Sequence, residues 1–349
     1  MVTRKLMCWY SAHYRSLPWR NEPTPYHVWV SEIMLQQTRI EAVLPYYRRF
    51  IDALPTVHDL AYAPSEVLLK LWEGLGYYSR VRNLQKAAQV IVEQYGGELP
   101  ADYDALLALP GIGPYTAGAI ASIAYNIPAP AVDGNVMRVL ARLTADSTDV
   151  LSTLGKKRFT DLAWELVPEQ EAGRFNQALM ELGETVCLPN GQPHCESCPL
   201  RDECEAYRQG CAADLPVRIK KTVRRVEDRQ VALVITDGCF PAVLLHKRDN
   251  TGLLADLWEL PNTLSDDSLD SLPDDLRGGC IKVGELPPYK HLFSHVEWRM
   301  NGCIYRAPAL TDLPDGYATA DLASLKTAYP LPGAFRVYAD LLPQLMNEE

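Results

Sequence analysis

The sequence predicts a two-part chain: an all-α region over residues 1–210, a linker over 211–228 and an α+β domain over 229–349. Three observations lead there. Up to about residue 210, apolar residues recur every three or four positions in "YHVWVSEIMLQQ", "VRNLQKAAQVIVEQY" and "RFNQALMELGETV", the spacing of helices that bury one face. Pro and Gly punctuate these runs in "LPTV", "YGGELPADY" and "IPAPAVDG", as short connections between helices do. Beyond the charged, aperiodic stretch "DLPVRIKKTVRRVEDR" the pattern changes to "QVALVITDG", "PAVLLHKRD" and "VEWRMNGCIYRA", strand-like runs separated by turns.

At 349 residues, with 47% hydrophobic and 22% charged positions, the chain is long enough for two or three cores and has an ordinary globular composition. No apolar run approaches the roughly 20 residues that cross a bilayer, so no membrane span is expected. The start, "MVTRKLMCWYSAHYRSLPWR", lacks the apolar core and small-residue cleavage site of a secretory signal. A cytoplasmic protein is expected, in which nine cysteines stay largely reduced. The net charge of −10 is unevenly spread. Residues 1–225 carry 24 Lys and Arg against 25 Asp and Glu, whereas residues 226–349 carry 10 against 19. A near-neutral first part leaves room for a local basic face toward nucleic acid, because phosphate contact depends on patches and not on net charge.

The helical elements carry the candidate chemistry. In "VRNLQKAAQVIVEQY", Val81, Leu84, Ala88 and Ile91 share one face. In "HVWVSEIMLQQTRI", Glu32 is a lone acid among apolar residues; it is either a solvated surface glutamate or an inward acid whose desolvation raises its pKa. The run "DYDALLALPGIGPYTAGAI" reads as helix, turn, helix, with Gly111 and Gly113 opening the second helix. Such a turn lets backbone N–H groups approach an anion at the positive end of the helix dipole, as in helix-hairpin-helix motifs that hold a DNA phosphate; a plain tight turn also fits. In "VDGNVMRVLARL", Asp133 precedes a helical run, where it caps the helix, holds a fixed negative charge, or both. Glu32 and Asp133 could then divide acid and anion roles between them, the division of labour used in glycosidic bond cleavage.

Cys187, Cys195, Cys198 and Cys204 in "CLPNGQPHCESCPLRDEC" give the spacing C-x7-C-x2-C-x5-C. Four thiols within 18 residues can converge on one soft centre. Structural zinc more often uses two separated C-x2-C knuckles, so the pattern favours a [4Fe–4S] cluster over zinc. Cys211 lies close enough to compete as the fourth ligand, while Cys8, Cys239, Cys280 and Cys303 read as incidental thiols.

Taken together, "LPWR", "SEIMLQQT", "GLGYYSRVRNL", "LPGIGPYTAGAI", "VDGNVMRVLAR", "FNQALMELG" and the cysteine loop resemble the endonuclease III superfamily of DNA glycosylases, most closely its MutY family of adenine DNA glycosylases. The resemblance runs nearly end to end. It implies a base-excision-repair enzyme that flips adenine out of double-stranded DNA, where the adenine is paired with 8-oxoguanine or guanine, and hydrolyses its N-glycosidic bond. Glu32 would protonate the base, Asp133 would stabilise the cationic sugar and Asn135 would help position that site. Trp19, Arg20 and Leu35 would wall the adenine pocket, and Gln37 and Tyr77 would wedge into the duplex. Strand-cutting relatives carry a Schiff-base lysine at the position of Tyr115; a phenol cannot form one, so a monofunctional enzyme is implied. The resemblance further implies a monomer working at the nucleoid of a bacterial cytoplasm. Two departures stand out: the first cysteine spacing is one residue longer than usual, and "CLPNGQPHC" has no Lys or Arg to touch DNA.

In the C-terminal part, "LLHKRDNTGLLADLWELPN" resembles the start of a Nudix-type domain. The segment after Pro261, "NTLSDDSLDSLPDDLRGG", lacks the R-E-x-x-E-E cluster that a Nudix hydrolase needs to hold metal, so a recognition module is expected. By the same resemblance, "HLFSHVEW" would place Phe293, Ser294 and His295 at 8-oxoguanine, although a strand with a core histidine also fits. The rival readings are a thymine–guanine mismatch glycosylase, a lesion-binding protein without catalysis, and a Nudix hydrolase.

Overall fold

The computed structural model describes residues 2–219, 223–238, 240–310 and 312–346. They fall into two compact units, Met1–Tyr62 with Arg80–Lys220, and Ala63–Ser79 with Lys221–Glu349.

The first unit is helical, as the periodicity predicts. Its central helix, Pro25–Leu35, starts at Thr24, whose side chain accepts the His27 N–H, and has Pro25 at its first turn. Nearly every residue from Tyr26 to Met34 is buried, so this helix is core on all sides and not amphipathic. It packs on helix Pro114–Tyr125, which in turn packs on helix Ala172–Thr185. That second contact is close enough that a Cβ on Gly173 would come within 2.5 Å of the Ser122 carbonyl oxygen. Helix Ser79–Tyr95 buries Val81, Leu84, Ala88 and Ile91 together, the face read from the sequence. Helix Tyr103–Leu107 is capped by Asp102, whose carboxylate accepts the Ala105 N–H at 2.8 Å, and leads through the Gly111–Gly113 turn into Pro114–Tyr125.

Two boundaries differ from the expected ones. The stretch that follows residue 210 packs on the helical unit instead of starting a linker: Ala212 and Leu215 are buried beside Ala206, and the Val150 N–H bonds to the Val217 carbonyl at 3.1 Å. The first strand then begins at Arg225, inside the expected linker, because its residues pair with a partner strand whatever their charge. Residues 220–222 and Cys239 lie outside the described residues. Residues 63–79, expected in the helical region, belong with the second unit.

The second unit is built on a mixed seven-stranded sheet: β1 (Arg225–Thr236), β2 (Ala242–Lys247), β3 (Trp258–Glu259), β4 (Asn262–Thr263), β5 (Ile281–Leu292), β6 (Val296–Ala307) and β7 (Tyr317–Ala320). The order is β3-β2-β1-β6-β5, with β4 also pairing β1 and β7 pairing β2. β1 and β6 run parallel and the other pairs are antiparallel. Val231, Leu233 and Ile235 enter one core, Ala232 and Val234 another, so β1 is apolar on both faces and reads as a continuous run in the sequence. The helices here are short, such as Asp274–Arg277, Leu322–Thr327 and Arg336–Ala339. Among the described residues no helix is long and apolar enough to cross a membrane.

Gly111 has φ +74°, and a Cβ there would meet the Asn83 side chain at 2.5 Å. Gly111→Ala is expected to destabilise the first unit by about 2 kcal/mol, from left-handed strain and the clash combined, and thermal melting reads the loss.

Candidate active site

Eight of the residues singled out in the sequence line one pocket of about 370 Å³ in the first unit: Trp19, Arg20, Glu32, Leu35, Gln37, Tyr115, Asp133 and Asn135. Its size suits a small organic ligand. Ser31, Ile123, Gln177, Met180 and Glu184 are among the other residues of the lining, and none of these five stands out in the sequence.

Glu32 sits on the central helix and is only 5% exposed, which discards the surface reading. Burial pushes its pKa from 4.5 up to about 7. A hydrogen bond from the Tyr115 hydroxyl to Glu32 Oε2 pulls the other way, the Asp133 charge adds to the rise, and Arg20 opposes it. Tyr115 is at the second position of its helix, two residues past Gly113, so the hairpin itself delivers the phenol to the pocket. Its hydroxyl also lies 3.5 Å from Met180 Sδ. Burial and the two carboxylates raise the Tyr115 pKa well above that of a free phenol, and it remains a neutral donor.

Asp133 is the N-cap of helix Gly134–Leu143 and uses both oxygens. Oδ1 accepts the Val136 N–H at 2.7 Å and Oδ2 accepts Asn135 Nδ2 at 2.8 Å. Burial nonetheless raises its pKa above 3.8, against these charge-favouring hydrogen bonds, so the helix start alone does not fix its ionisation. Arg138, which sequence reasoning missed, completes the arrangement. Its Nη2 donates to Asn135 Oδ1 at 2.8 Å and to the Gly183 carbonyl at 2.7 Å, and its Nε to the Cys187 carbonyl at 2.7 Å. The available signal was its position three residues after Asn135, on the same helical face. Glu181 was also missed. It is 1% exposed and binds Arg20 at 2.8 Å while also pairing with Arg15.

The hairpin glycines line a turn exposed at Gly111 and Gly113, and nothing lies within 4 Å of where a Cβ on Gly113 would be. Gln37 is exposed at the pocket rim in a left-handed conformation, φ +64°. Tyr77 belongs to the second unit, where it is 47% exposed and also left-handed, φ +47°. Also in that unit, Phe293, Ser294 and His295 form the turn between β5 and β6, closed by the Phe293 N–H on the Val296 carbonyl at 2.9 Å. Phe293 meets Trp298 edge-on at 4.9 Å, while Ser294 and His295 are exposed, so His295 is not a core histidine.

Cys187, Cys195, Cys198 and Cys204 line a small cavity of about 30 Å³ together with Arg142, Val186 and Pro193. Arg142 Nη1 donates to Cys187 Sγ at 3.2 Å, and Cys204 Sγ lies 3.3 Å from the Arg142 carbonyl. All described cysteines are free thiols, and burial pushes Cys198 up to about 12. Cys211 does not line the cavity; it packs with Ala206, Ala212 and Leu215. Among the described residues no three His, Cys, Asp or Glu side chains are placed to share a single metal ion.

The helical hairpin thus presents a phenol to the same pocket as a buried acid and a helix-capping aspartate. Residues 30–169 match the HhH-GPD superfamily base excision DNA repair protein family, and residues 230–341 match the NUDIX domain family. The chain is 36% identical to the adenine DNA glycosylase of Mus musculus, over 96% of this chain and 77% of that protein. It is 33% identical to that of Schizosaccharomyces pombe, over 88% and 82% respectively. The chain belongs to the adenine DNA glycosylase family, and is therefore an N-glycosylase of base excision repair. Among solved structures it is similar to a thermostable thymine-DNA glycosylase, with TM-score 0.55 and 28% identity, covering 60% of this chain and 95% of that one. A trapped endonuclease III–DNA covalent intermediate gives TM-score 0.50 and 26% identity, covering 60% and 94%.

The displaced pKa of Glu32 is linked to stability. Between pH 4.5 and about 7 the folded chain binds the extra proton that the unfolded chain has released, so stability falls as pH rises through that window. Glu32→Gln removes this loss. The variant is expected to match the parent in unfolding free energy near pH 4.5 and to exceed it at pH 8 by on the order of 3 kcal/mol, read from denaturant melts at the two pH values.

Proposed function

We propose that this adenine DNA glycosylase excises adenine paired with 8-oxoguanine or guanine by hydrolysis and leaves the strand uncut. The observation that carries this reading is the single pocket in which Tyr115 donates to a buried Glu32 beside the Asp133 cap. Adenine enters the pocket only after leaving the base stack, at a cost of a few kcal/mol. Trp19, Arg20 and Leu35 line its walls, while Gln37 and Tyr77 fill the space it leaves. With a pKa of about 7, Glu32 is substantially protonated at neutral pH and supplies a proton to N7. The bond from C1′ to the base then breaks with its electron pair leaving on adenine. The Asp133 carboxylate, oriented by Asn135, stabilises the cationic sugar until water adds to C1′ and yields an abasic site. Tyr115 has no amine with which to form a Schiff base, so elimination through an imine does not follow.

The second unit serves to read the opposing base. Its exposed turn carries Ser294, whose hydroxyl would accept the N7 hydrogen that 8-oxoguanine has and guanine lacks. After Pro261 the chain forms β4, the single turn Ser268–Ser271 and the short helix Asp274–Arg277, in place of the acid-bearing helix of a metal-dependent Nudix hydrolase. The Gly111–Gly113 turn holds a backbone phosphate of double-stranded DNA, and the enzyme acts as a monomer.

Cys187, Cys195, Cys198 and Cys204 hold a [4Fe–4S] cluster. The donor set is all sulfur around an apolar-walled cavity. The C-x7-C-x2-C-x5-C spacing, without two separated C-x2-C knuckles, is what favours such a cluster over structural zinc. Bound by these four cysteines, the cluster would clamp the loop, while the base chemistry rests on Glu32 and Asp133.

Incubation with duplexes carrying adenine opposite 8-oxoguanine, beside a thymine–guanine duplex, tests the activity. Adenine release is expected, with strand breakage only after hot alkali, and the single-turnover rate should fall as pH rises through about 7. Thymine release, or tight binding with neither base released, would overturn the assignment. Purified protein should also show the broad visible absorbance of an iron–sulfur cluster, and Cys198→Ser should lose it along with thermal stability; bound zinc with no such absorbance would replace the cluster reading.

A further inference from the structure

Sequence position places residues 63–79 in the middle of the helical glycosylase region, yet they pack as part of the second unit. The attachment is specific. Helix Ser65–Leu71 carries Lys70, whose ammonium donates to the Leu325 carbonyl at 3.0 Å and the Tyr329 carbonyl at 3.3 Å. Lys70 also pairs with Glu73 at 2.7 Å, and the other Glu73 oxygen accepts the Leu331 N–H at 2.7 Å. Glu66 adds an ion pair to Lys247 of β2 at 3.7 Å. Lys70 and Glu73 are mostly shielded from water, so these bonds are less screened than surface pairs.

Both ends of this attachment lead to the parts assigned to the opposing base. On one side, Trp72 is fully buried and its indole N–H donates to the Gly76 carbonyl at 3.1 Å, which fixes the turn that holds Tyr77 in its left-handed conformation. On the other side, Leu325, Tyr329 and Leu331 share one hydrophobic core with Phe335, Trp298 and Phe293. Trp298 lies 6.1 Å from Phe335 and 4.9 Å from Phe293, next to Ser294. Tyr77 and Ser294 are thus mounted on one packed body although 217 residues of chain separate them.

We infer that Lys70 and Glu73 are positioning residues for discrimination of the opposing base: they fasten the Tyr77 wedge to the domain that carries Phe293–His295, so that wedging and reading of that base act as one unit. This rests on the roles given above to Tyr77 and Ser294. Lys70 and Glu73 themselves touch neither the adenine pocket nor the proposed reading turn. The physical requirement is coupling through a contiguous packed network, which a thermodynamic cycle can measure.

The test compares single-turnover excision of adenine opposite 8-oxoguanine and opposite guanine, for the parent and for Lys70→Met, Lys70→Arg, Glu73→Gln, Ser294→Ala and the Lys70→Met/Ser294→Ala pair. Lys70→Met keeps the aliphatic stem and loses the three polar contacts. Its preference for the 8-oxoguanine duplex is expected to fall about five- to tenfold, through the 8-oxoguanine rate, with the guanine rate nearly unchanged. Lys70→Arg should restore most of the preference, Glu73→Gln should fall between, and the double variant should lose less than the product of the two single losses. Equal loss on both duplexes, an unchanged preference in both Lys70→Met and Glu73→Gln, or strictly multiplicative losses would overturn the inference. A parent with no preference, or one unaffected by Ser294→Ala, would instead overturn the assigned reading of the opposing base, and the anchor's role with it.

Discussion

A carboxylic acid can remain protonated near neutral pH only where water is excluded and no cation is dedicated to it. That constraint on Glu32 organises much of the first unit. Helix Pro25–Leu35 must be core on every side to remove the acid from solvent, which is why its sequence lacks a polar face. Arg20 lines the same pocket and would, as a direct partner, hold Glu32 ionised. Its guanidinium is instead engaged by Glu181, itself 1% exposed and shared with Arg15, and its pull on the acid is outweighed by burial. Tyr115 fills the remaining approach with a neutral donor. Asp133 stands on a different helix, where backbone and amide N–H groups favour the charged form that burial opposes.

Helix Gly134–Leu143 joins two jobs that the sequence shows only as neighbouring motifs. Its first turn orders Asp133 and Asn135, and its later turns carry Arg138 and Arg142 to the carbonyls of Gly183, Cys187 and Leu188 and to the Cys187 sulfur. Arg142 also reaches the Leu215 carbonyl at 2.9 Å, which ties down the stretch that leaves the helical unit. Both arginines are 2% exposed, and each finds carbonyl partners for its guanidinium. Shifting the cysteine loop therefore strains the same rigid element that orients the aspartate.

What could be read in the sequence follows the range of the forces involved. The shared face of Val81, Leu84, Ala88 and Ile91 is a local periodicity, and the structure buries all four. The β1 run "VALVI" is apolar at every step because its sheet is covered on both faces, again a local signal. Glu32 was ambiguous by pattern alone, since an inward and an outward glutamate share the same spacing; the family resemblance, not periodicity, favoured the inward one. Glu181 is illegible because its partners lie up to 166 residues away, and Arg138 is legible only as a neighbour of Asn135, since its other partners are backbone carbonyls with no sequence identity. The linker was placed too early because Leu215 and Val217 sit in a charged window whose composition hides that they have a core to join.

The attachment of residues 63–79 also imposes an order on synthesis. Lys70 bonds to a carbonyl 255 residues downstream, and Glu73 to an amide 258 residues downstream. On a ribosome adding about 5–20 residues each second, helix Ser65–Leu71 and the buried indole of Trp72 emerge many seconds before the chain that completes their surroundings. The helices on either side can collapse in that interval, but this loop must wait for the Leu325, Tyr329 and Leu331 backbone groups it bonds to, a closure of long range that slows folding. A nascent chain stalled before residue 325, or a nonsense product ending there, would therefore leave Lys70 and Glu73 without these partners, and would be a natural client for chaperones and proteases.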